Sequence, residues 1–396
     1  MVLYIGNYLS EKIVRERGIP FRNAAGSNRI LRIAVSLRVN NVNVGILSPG
    51  NSLRMKPESR KACLSKETEV ENIKVFFAKT STIPVINLIY STFSIIGRLF
   101  YYHRQGELST AIIYNFSPEL LIVTIVLKLF IGAEIINNIE DVSVPMLTDW
   151  KRDTEARPVQ QIVFYFCMKA IAYMADGFIV PTKKFVEYLP VSNKPVSLVT
   201  GCSNVMDNIT FETSDPVQVL FSGKIEFEHG IDLLINALSR LDKKHSNNLI
   251  VNICGAGPKE YWLRHELQNK DLNFVSFKGF VTDDEYKSLL EKSDICLVLQ
   301  NPDGRFGNLK IPSKFYEYYT DGKCIISSKS INFEELPEDS YFVCEEYTPE
   351  NLLFLLEKIL PNHDLIKRTK MAAYKFAKEN FEFKKVGQNI IQTLRL

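Results

Sequence analysis

The chain alternates short apolar runs with longer stretches whose apolar residues recur every three to four positions, along nearly its whole length. No other feature constrains the fold as much. A run such as 2–5, 110–114 or 217–222 has the length of a buried strand, and the stretch after it has the length of a helical crossover. Strands joined through helices run parallel, so the sequence predicts layered α/β sheets.

In the first half, strands are expected at 2–5, 42–47, 73–77, 110–114, 134–137 and 177–180, with helices at 27–40, 86–103, 118–131 and 160–175. Pro190, Pro195 and Pro216 then bracket a stretch of Ser, Asn, Thr and Gly that reads as a linker between domains. A second alternation follows, with strands at 217–222, 249–254, 273–277, 295–299 and 324–327. Helices are expected there at 231–241, 261–269, 284–292, 313–320 and 350–360, and a last helical region runs over 365–393. The expected architecture is two doubly wound, Rossmann-like domains, 1–200 and 201–375, facing across a cleft. A terminal helix, 376–396, is expected to cross back to the first domain. Ligands of such sheets bind beyond the carboxyl ends of the strands.

Composition excludes several classes of function. A net charge of +3 on 396 residues gives no reason to expect a nucleic-acid partner. The charge is uneven, however: residues 1–200 hold 24 Lys and Arg against 16 Asp and Glu, and the remainder is acidic. A basic first half suits an anionic neighbour such as phospholipid headgroups, or is ordinary surface variation. The seven cysteines show no metal-ligand spacing and read as buried thiols in a reducing compartment, and the five histidines form no cluster. No secretory signal is expected at the start. The most apolar stretch, 120–132, is too short to span a bilayer and contains Lys128. The expected location is therefore cytoplasmic, with peripheral contact at a membrane and no insertion.

Three segments hold candidate chemistry. The first, Phe221-Ser222-Gly223-Lys224-Ile225-Glu226-Phe227-Glu228-His229-Gly230, ends a strand and opens a helix. Helix N-termini offer unpaired N–H groups and partial positive charge, which suit phosphate. Lys224 adds a full charge and His229 a further donor; the plainer reading is an ordinary joint with solvated charges. The second runs from Asn308 through Pro312, Ser313 and Lys314 to Glu317 and Gly322. Ser313 is a candidate N-cap. Glu317, one turn in, can accept hydrogen bonds from the vicinal hydroxyls of a ribose, or is a solvated helix glutamate. The third, Cys254-Gly255-Ala256-Gly257-Pro258, begins like a dinucleotide fingerprint but lacks its last glycine, and reads better as a tight turn. The sequence has no Walker-type phosphate loop, no nucleophile elbow and no Asp-x-Asp, so protein cations rather than a metal are expected to neutralise any bound diphosphate.

Taken in order, these segments resemble the donor domain of the family-four glycosyltransferases, also called glycosyl transferases group 1. The resemblance runs through Phe221–Leu234, Ile253–Pro258, Phe277-Lys278-Gly279-Phe280-Val281, Ser293–Leu297 and Pro312–Lys323. Looser matches in the first half are Ala24-Ala25-Gly26-Ser27-Asn28-Arg29, expected just before a helix, and Met174–Val180. The resemblance implies the GT-B fold and transfer of a sugar from a nucleotide sugar with retention at the anomeric carbon, without a cofactor or metal. It implies catalytic roles for Lys224 and Glu317, with Asp141 or its neighbour Glu140 standing in for a histidine of the first domain. It implies donor contacts at Gly223, His229, Gly230, Gly255, Val281, Asn308, Pro312, Ser313, Lys314 and Gly26. His229 replaces a family lysine, and Leu309 stands where the family has a first glutamate. The expected acceptor is a saccharide or lipid-linked saccharide in bacterial surface polysaccharide synthesis. The alternatives are a non-catalytic nucleotide-binding partner subunit of the same fold, and a nucleotide-sugar epimerase.

Overall fold

The computed structural model describes residues 1–19, 24–51, 61–140, 158–187, 189, 193–205, 207, 209–302, 312–329 and 336–396, without the side chains of 24 and 158–161. By their internal contacts these fall into two units, Met1–Cys202 with Phe383–Leu396, and Ser203–Glu382.

In order, the first unit contains β1 (Val2–Ile5), α1 (Glu11–Arg17), α2 (Ala24–Arg38), β2 (Val44–Ser48), β3 (Lys66–Val70), β4 (Ile73–Phe77) and α3 (Pro84–Arg104). It continues with β5 (Thr110–Tyr114), α4 (Pro118–Val126), a π turn at Leu127–Ile131, β6 (Glu134–Asn138), α5 (Pro158–Met174), β7 (Gly177–Val180), α6 (Lys184–Glu187) and β8 (Val196–Leu198). The sheet order is β3-β4-β2-β1-β5-β6-β7-β8, parallel except for β3. The inner strands β1, β5 and β7 are buried on both faces, as a parallel sheet between helix layers requires. The crossover through α2 steps one way along the sheet from β1, and those through α3, α4 and α5 step the other way. Right-handed connections therefore put α2 on one face and α3–α5 on the other. Ile112 and Tyr114 of β5 accordingly pack with Ile30, Ile33 and Leu37 of α2.

The second unit contains β9 (Val217–Ser222), a 3-10 turn at Phe227–His229, α7 (Ile231–Leu238), α8 (Lys243–Ser246), β10 (Leu249–Cys254), α9 (Glu260–Asn269), β11 (Val275–Phe277), α10 (Asp283–Lys292) and β12 (Ile295–Val298). Then come α11 (Ser313–Thr320), β13 (Cys324–Ser328), β14 (Phe342–Cys344), α12 (Pro349–Ile359) and α13 (His363–Asn380). Its sheet order is β11-β10-β9-β12-β13-β14, with every pairing parallel. The chain winds outward from β9 through β10 to β11, then returns to the other flank of β9 with β12. The strand order thus reverses between β9 and β12.

The helical region expected over 365–393 consists of two helices. α13 stays on the second unit, and α14 (Phe383–Leu394) belongs to the first. The handover falls at Phe383, later than the expected boundary at 376. Phe381, just before it, is buried against Tyr316, Tyr319 and Phe376 and so anchors the end of α13. α14 lies against α2 so closely that a Cβ at Gly387 would come within 2.0 Å of the Ser36 carbonyl oxygen. The division between units, at 202/203, falls inside the stretch read as a linker, which also carries β8. The helix expected from 27 begins at Ala24, which moves Gly26 from a preceding loop into the first turn of α2, where it is buried.

Candidate functional site

The site is built on the carboxyl ends of β9 and β12, where the strand order reverses. Beyond β9, Gly223 holds φ at 146°, a value that side-chain-bearing residues rarely adopt, and its N–H donates to the Cys254 carbonyl at 3.0 Å. Gly255 has φ 136°, and a Cβ there would stand 1.7 Å from the Gly223 oxygen. A Cβ on Gly257 would lie 2.4 Å from the Ile225 oxygen. The glycines of the fingerprint-like segment are thus needed for close approach between two loops. The Ile225 N–H also donates to Ala256 O and the Lys259 N–H to Ile225 O.

The loop then turns into α7. Gly230 is the N-cap, with φ 79°, and a Cβ there would be 2.1 Å from the Leu299 oxygen at the end of β12. The Asn301 N–H donates to Glu228 O at 2.9 Å. The turn before α7 is therefore pinned to the loop leaving β12. A second link is the buried hydrogen bond of 2.8 Å between the Ser222 and Tyr318 hydroxyls, which ties α11 to the end of β9.

Lys224 is 55% exposed and ion-paired with Glu226, so its ammonium is held close to its own loop. His229 ends the 3-10 turn, and burial pulls its imidazole below the ordinary value of 6.5 despite Glu226 nearby. It is neutral at neutral pH, and its Nδ1 is buried without a hydrogen-bond partner among the described residues. It offers a hydrogen bond there, not a charge.

On α11 the N-cap is Pro312, not Ser313. Ser313 is the first helical residue, is exposed and makes no cap bond. Pro312 fits because its φ of −57° is preset and the proline has no N–H to leave unpaired. Lys314 lies with its Nζ 4.2 Å from the centre of the Tyr286 ring, 3.1 Å from the Tyr286 oxygen and 4.0 Å from Glu317 Oε2. Burial pulls its ammonium down, and Glu317 pulls it back up. Tyr286 of α10 donates to Glu317 Oε2 at 2.9 Å. Burial and the neighbouring Tyr318 and Glu317 hold its phenol protonated. One oxygen of Glu317 is thereby engaged from the protein side. Val281 is partly buried against the same core, just before Thr282, which caps α10.

Sequence reading placed Lys224, His229 and Gly230 on one loop and Lys314 and Glu317 on one helix, and the tertiary structure brings that loop and that helix to the same end of the sheet. It does not pair Lys224 with Glu317: among the described residues Lys224 binds Glu226 and Glu317 binds Tyr286. Tyr286 and the Ser222–Tyr318 bond leave no trace in the sequence, since no spacing relates residues on separate elements; Glu226 stands two residues from Lys224 on the same loop. Asp141, Asn308 and Leu309 lie outside the described residues. Glu140, the alternative to Asp141, is held by Arg29 at 2.5 Å, by the Tyr114 hydroxyl at 3.0 Å, and through its own N–H by Asn115 at 2.7 Å.

Residues 205–376 match the family model described as Glycosyl transferases group 1. The chain carries a glycosyl transferases group 1 domain on a GT-B fold. An uncharacterized glycosyltransferase of Methanocaldococcus jannaschii is 25% identical over 171 residues, 43% of this chain. The match spans 42% of that relative's length, less than half of it. Among solved structures, HepE of Anabaena in complex with UDP superposes with a TM-score of 0.68 at 14% identity, covering 100% of this chain and 99% of that one. WaaG, described as a glycosyltransferase involved in lipopolysaccharide biosynthesis, superposes with a TM-score of 0.64 at 13% identity, covering 99% of each chain. These likenesses establish the fold.

Proposed function

We propose that this group 1 domain binds a nucleotide sugar and that the chain transfers the sugar, with retention of anomeric configuration, to a saccharide or lipid-linked saccharide. The reading rests on one observation: the loop bearing Lys224 and the helix bearing Glu317 converge where the strand order reverses, tied by Ser222 and Tyr318. As the glycosidic bond breaks, negative charge grows on the leaving diphosphate. Lys224, a neutral His229 and the N-terminus of α7 are the groups proposed to stabilise it. Glu317, steadied by Tyr286, would accept from the ribose hydroxyls. No metal enters this scheme. Asp141, Asn308, Val281, Pro312, Ser313, Lys314, Gly255 and Gly26 remain proposed contacts. HepE, with its UDP, and WaaG, with its place in lipopolysaccharide synthesis, support the donor class and a role in surface polysaccharide assembly. Such a role suits a cytoplasmic chain in peripheral contact with a membrane.

The test is release of nucleoside diphosphate from a panel of UDP-, GDP- and ADP-sugars with saccharide acceptors, repeated for Lys224→Ala. Turnover that the variant loses supports the reading; no turnover across the panel, with nucleotide affinity unaltered in the variant, defeats it. A non-catalytic nucleotide-binding subunit is the second reading. It is favoured by the pairing of Lys224 with Glu226 and by the neutral His229, which both lower the charge facing a phosphate. Nucleotide binding in calorimetry without transfer would select it.

A further inference from the structure

The first unit presents a surface that the proposed transfer chemistry leaves unused. On α3, Val85, Ile89, Phe93 and Tyr101 are exposed and fall on a four-residue step that passes through Gly97. Each such step turns by only about 40°, so these side chains spread over the outward half of the helix. The inward half buries Ile95, Leu99 and Tyr102 together with Asn87, Ser91 and Thr92, so the outward half carries as many apolar residues as the inward one. The same division recurs on α4 and its π turn, where Val123 and Leu127 are buried while Ile122, Leu129 and Phe130 are exposed. On α5, Met168 and Ile171 are buried, whereas Ile162, Phe166 and Tyr173 are exposed. α3 adjoins α4, and α4 adjoins α5, so the three outward stripes lie side by side.

A wide exposed apolar face marks an interaction surface. The charges nearby identify the partner. α3 and α5 contain no Asp or Glu, and the one carboxylate of α4, Glu119, is buried. Each exposed tyrosine of these helices has a cation near its ring: Lys79 at 4.5 Å from Tyr90, Arg98 at 4.7 Å from Tyr101, Lys194 at 5.8 Å from Tyr173. Among the described residues, the carboxylates Glu67 and Asp176 are ion-paired with Arg98 and Lys128, and Glu134, near the same Lys128, accepts from Thr110. A second copy seated here would bring one basic rim against another. A bilayer with anionic headgroups complements both parts, taking apolar side chains among its acyl chains and cations and tyrosines at the phosphate level. Among the described residues no helix is long and apolar enough to cross a membrane. The face would lie in the interface.

We propose that the outer faces of α3, α4 and α5 form a docking surface for a bilayer containing anionic phospholipids. This narrows the peripheral contact of the proposed function to one surface, and its test needs no turnover, so its failure would leave the transfer reading standing. The full chain is sedimented with vesicles of phosphatidylcholine, with or without phosphatidylglycerol. Binding at least about tenfold tighter to the anionic vesicles is expected. The triple variant Phe93→Glu, Leu129→Glu, Phe166→Glu should lose about tenfold or more of that binding, with its circular-dichroism melt unchanged. Hydrogen exchange of the unaltered chain, which does not depend on the variant folding, should show protection by vesicles in peptides of α3–α5. The proposal is overturned by absence of binding to either vesicle, by protection only elsewhere, by undiminished binding of a folded triple variant, or by lipid-free self-association that the variant abolishes.

Discussion

Ser222, the last residue of β9, and Tyr318, in the middle of α11, share a buried hydrogen bond of 2.8 Å. The bond joins the strand that leads into Lys224 to the helix that carries Glu317, so it sets the separation of the two groups proposed to hold phosphate and ribose. Ser222→Ala would leave the Tyr318 hydroxyl buried and unpaired, at a cost of about 1–3 kcal/mol. A lower denaturant midpoint together with weaker nucleotide binding is the expected outcome. Unchanged nucleotide affinity in a destabilised variant would confine the bond to a structural role.

Lys224→Ala should weaken binding of a nucleoside diphosphate by about ten- to a hundredfold, the usual worth of a charge-assisted hydrogen bond. Glu226→Gln should act in the opposite direction, because it frees the ammonium from its present partner. Calorimetry on both variants checks the pair of signs, and weaker binding in Glu226→Gln would show that the carboxylate positions the lysine rather than competing with phosphate.

Gly255 and Gly223 separate two reasons for glycine. Both have positive φ, so alanine at either position costs about 1–3 kcal/mol of backbone strain. Only at Gly255 does the added Cβ also strike a backbone oxygen, at 1.7 Å; at Gly223 it meets open space. Gly255→Ala should therefore depress the melting temperature markedly more than Gly223→Ala, as a thermal melt of each would show.

His229 gives the stability a pH dependence. Burial places its folded-state value below the unfolded value near 6.5, so above that pH both states are neutral and its contribution is constant. As pH falls below 6.5 the unfolded chain takes up a proton that the folded chain refuses, and stability declines until the folded-state value is passed. His229→Gln should flatten the stability profile over this acid window. Denaturant melts across pH 5–8 on both proteins measure it, and parallel profiles would contradict it.

Much of the fold could be read in advance because strand and helix are local: apolar runs of the right length and period specify β1, β4, β5, β7, β9 and β10 within their own residues. β3 was missed because its residues, Lys66–Val70, are mostly exposed at a sheet edge and carry no apolar run. The helical region expected over 365–393 divides at Phe381, whose burial, a contact made by the fold, anchors the first helix on one unit. Asp294, part of a motif shared with the family, takes the buried ammonium of Lys370 and the N–H groups of Ser214 and Gln218, and so supports the second unit from within.

By itself the sequence determined the α/β layering, the loop at Lys224 and the helix at Glu317, since periodicity, glycines and local charges act over a few residues. Lys224 meets Glu226 two residues along the same loop. Only the tertiary structure decided that Tyr286 holds Glu317 and that apolar residues of three separate helices meet on one outer face. Hydrogen bonds and burial depend on distance in space, and chain folding sets that distance independently of sequence spacing.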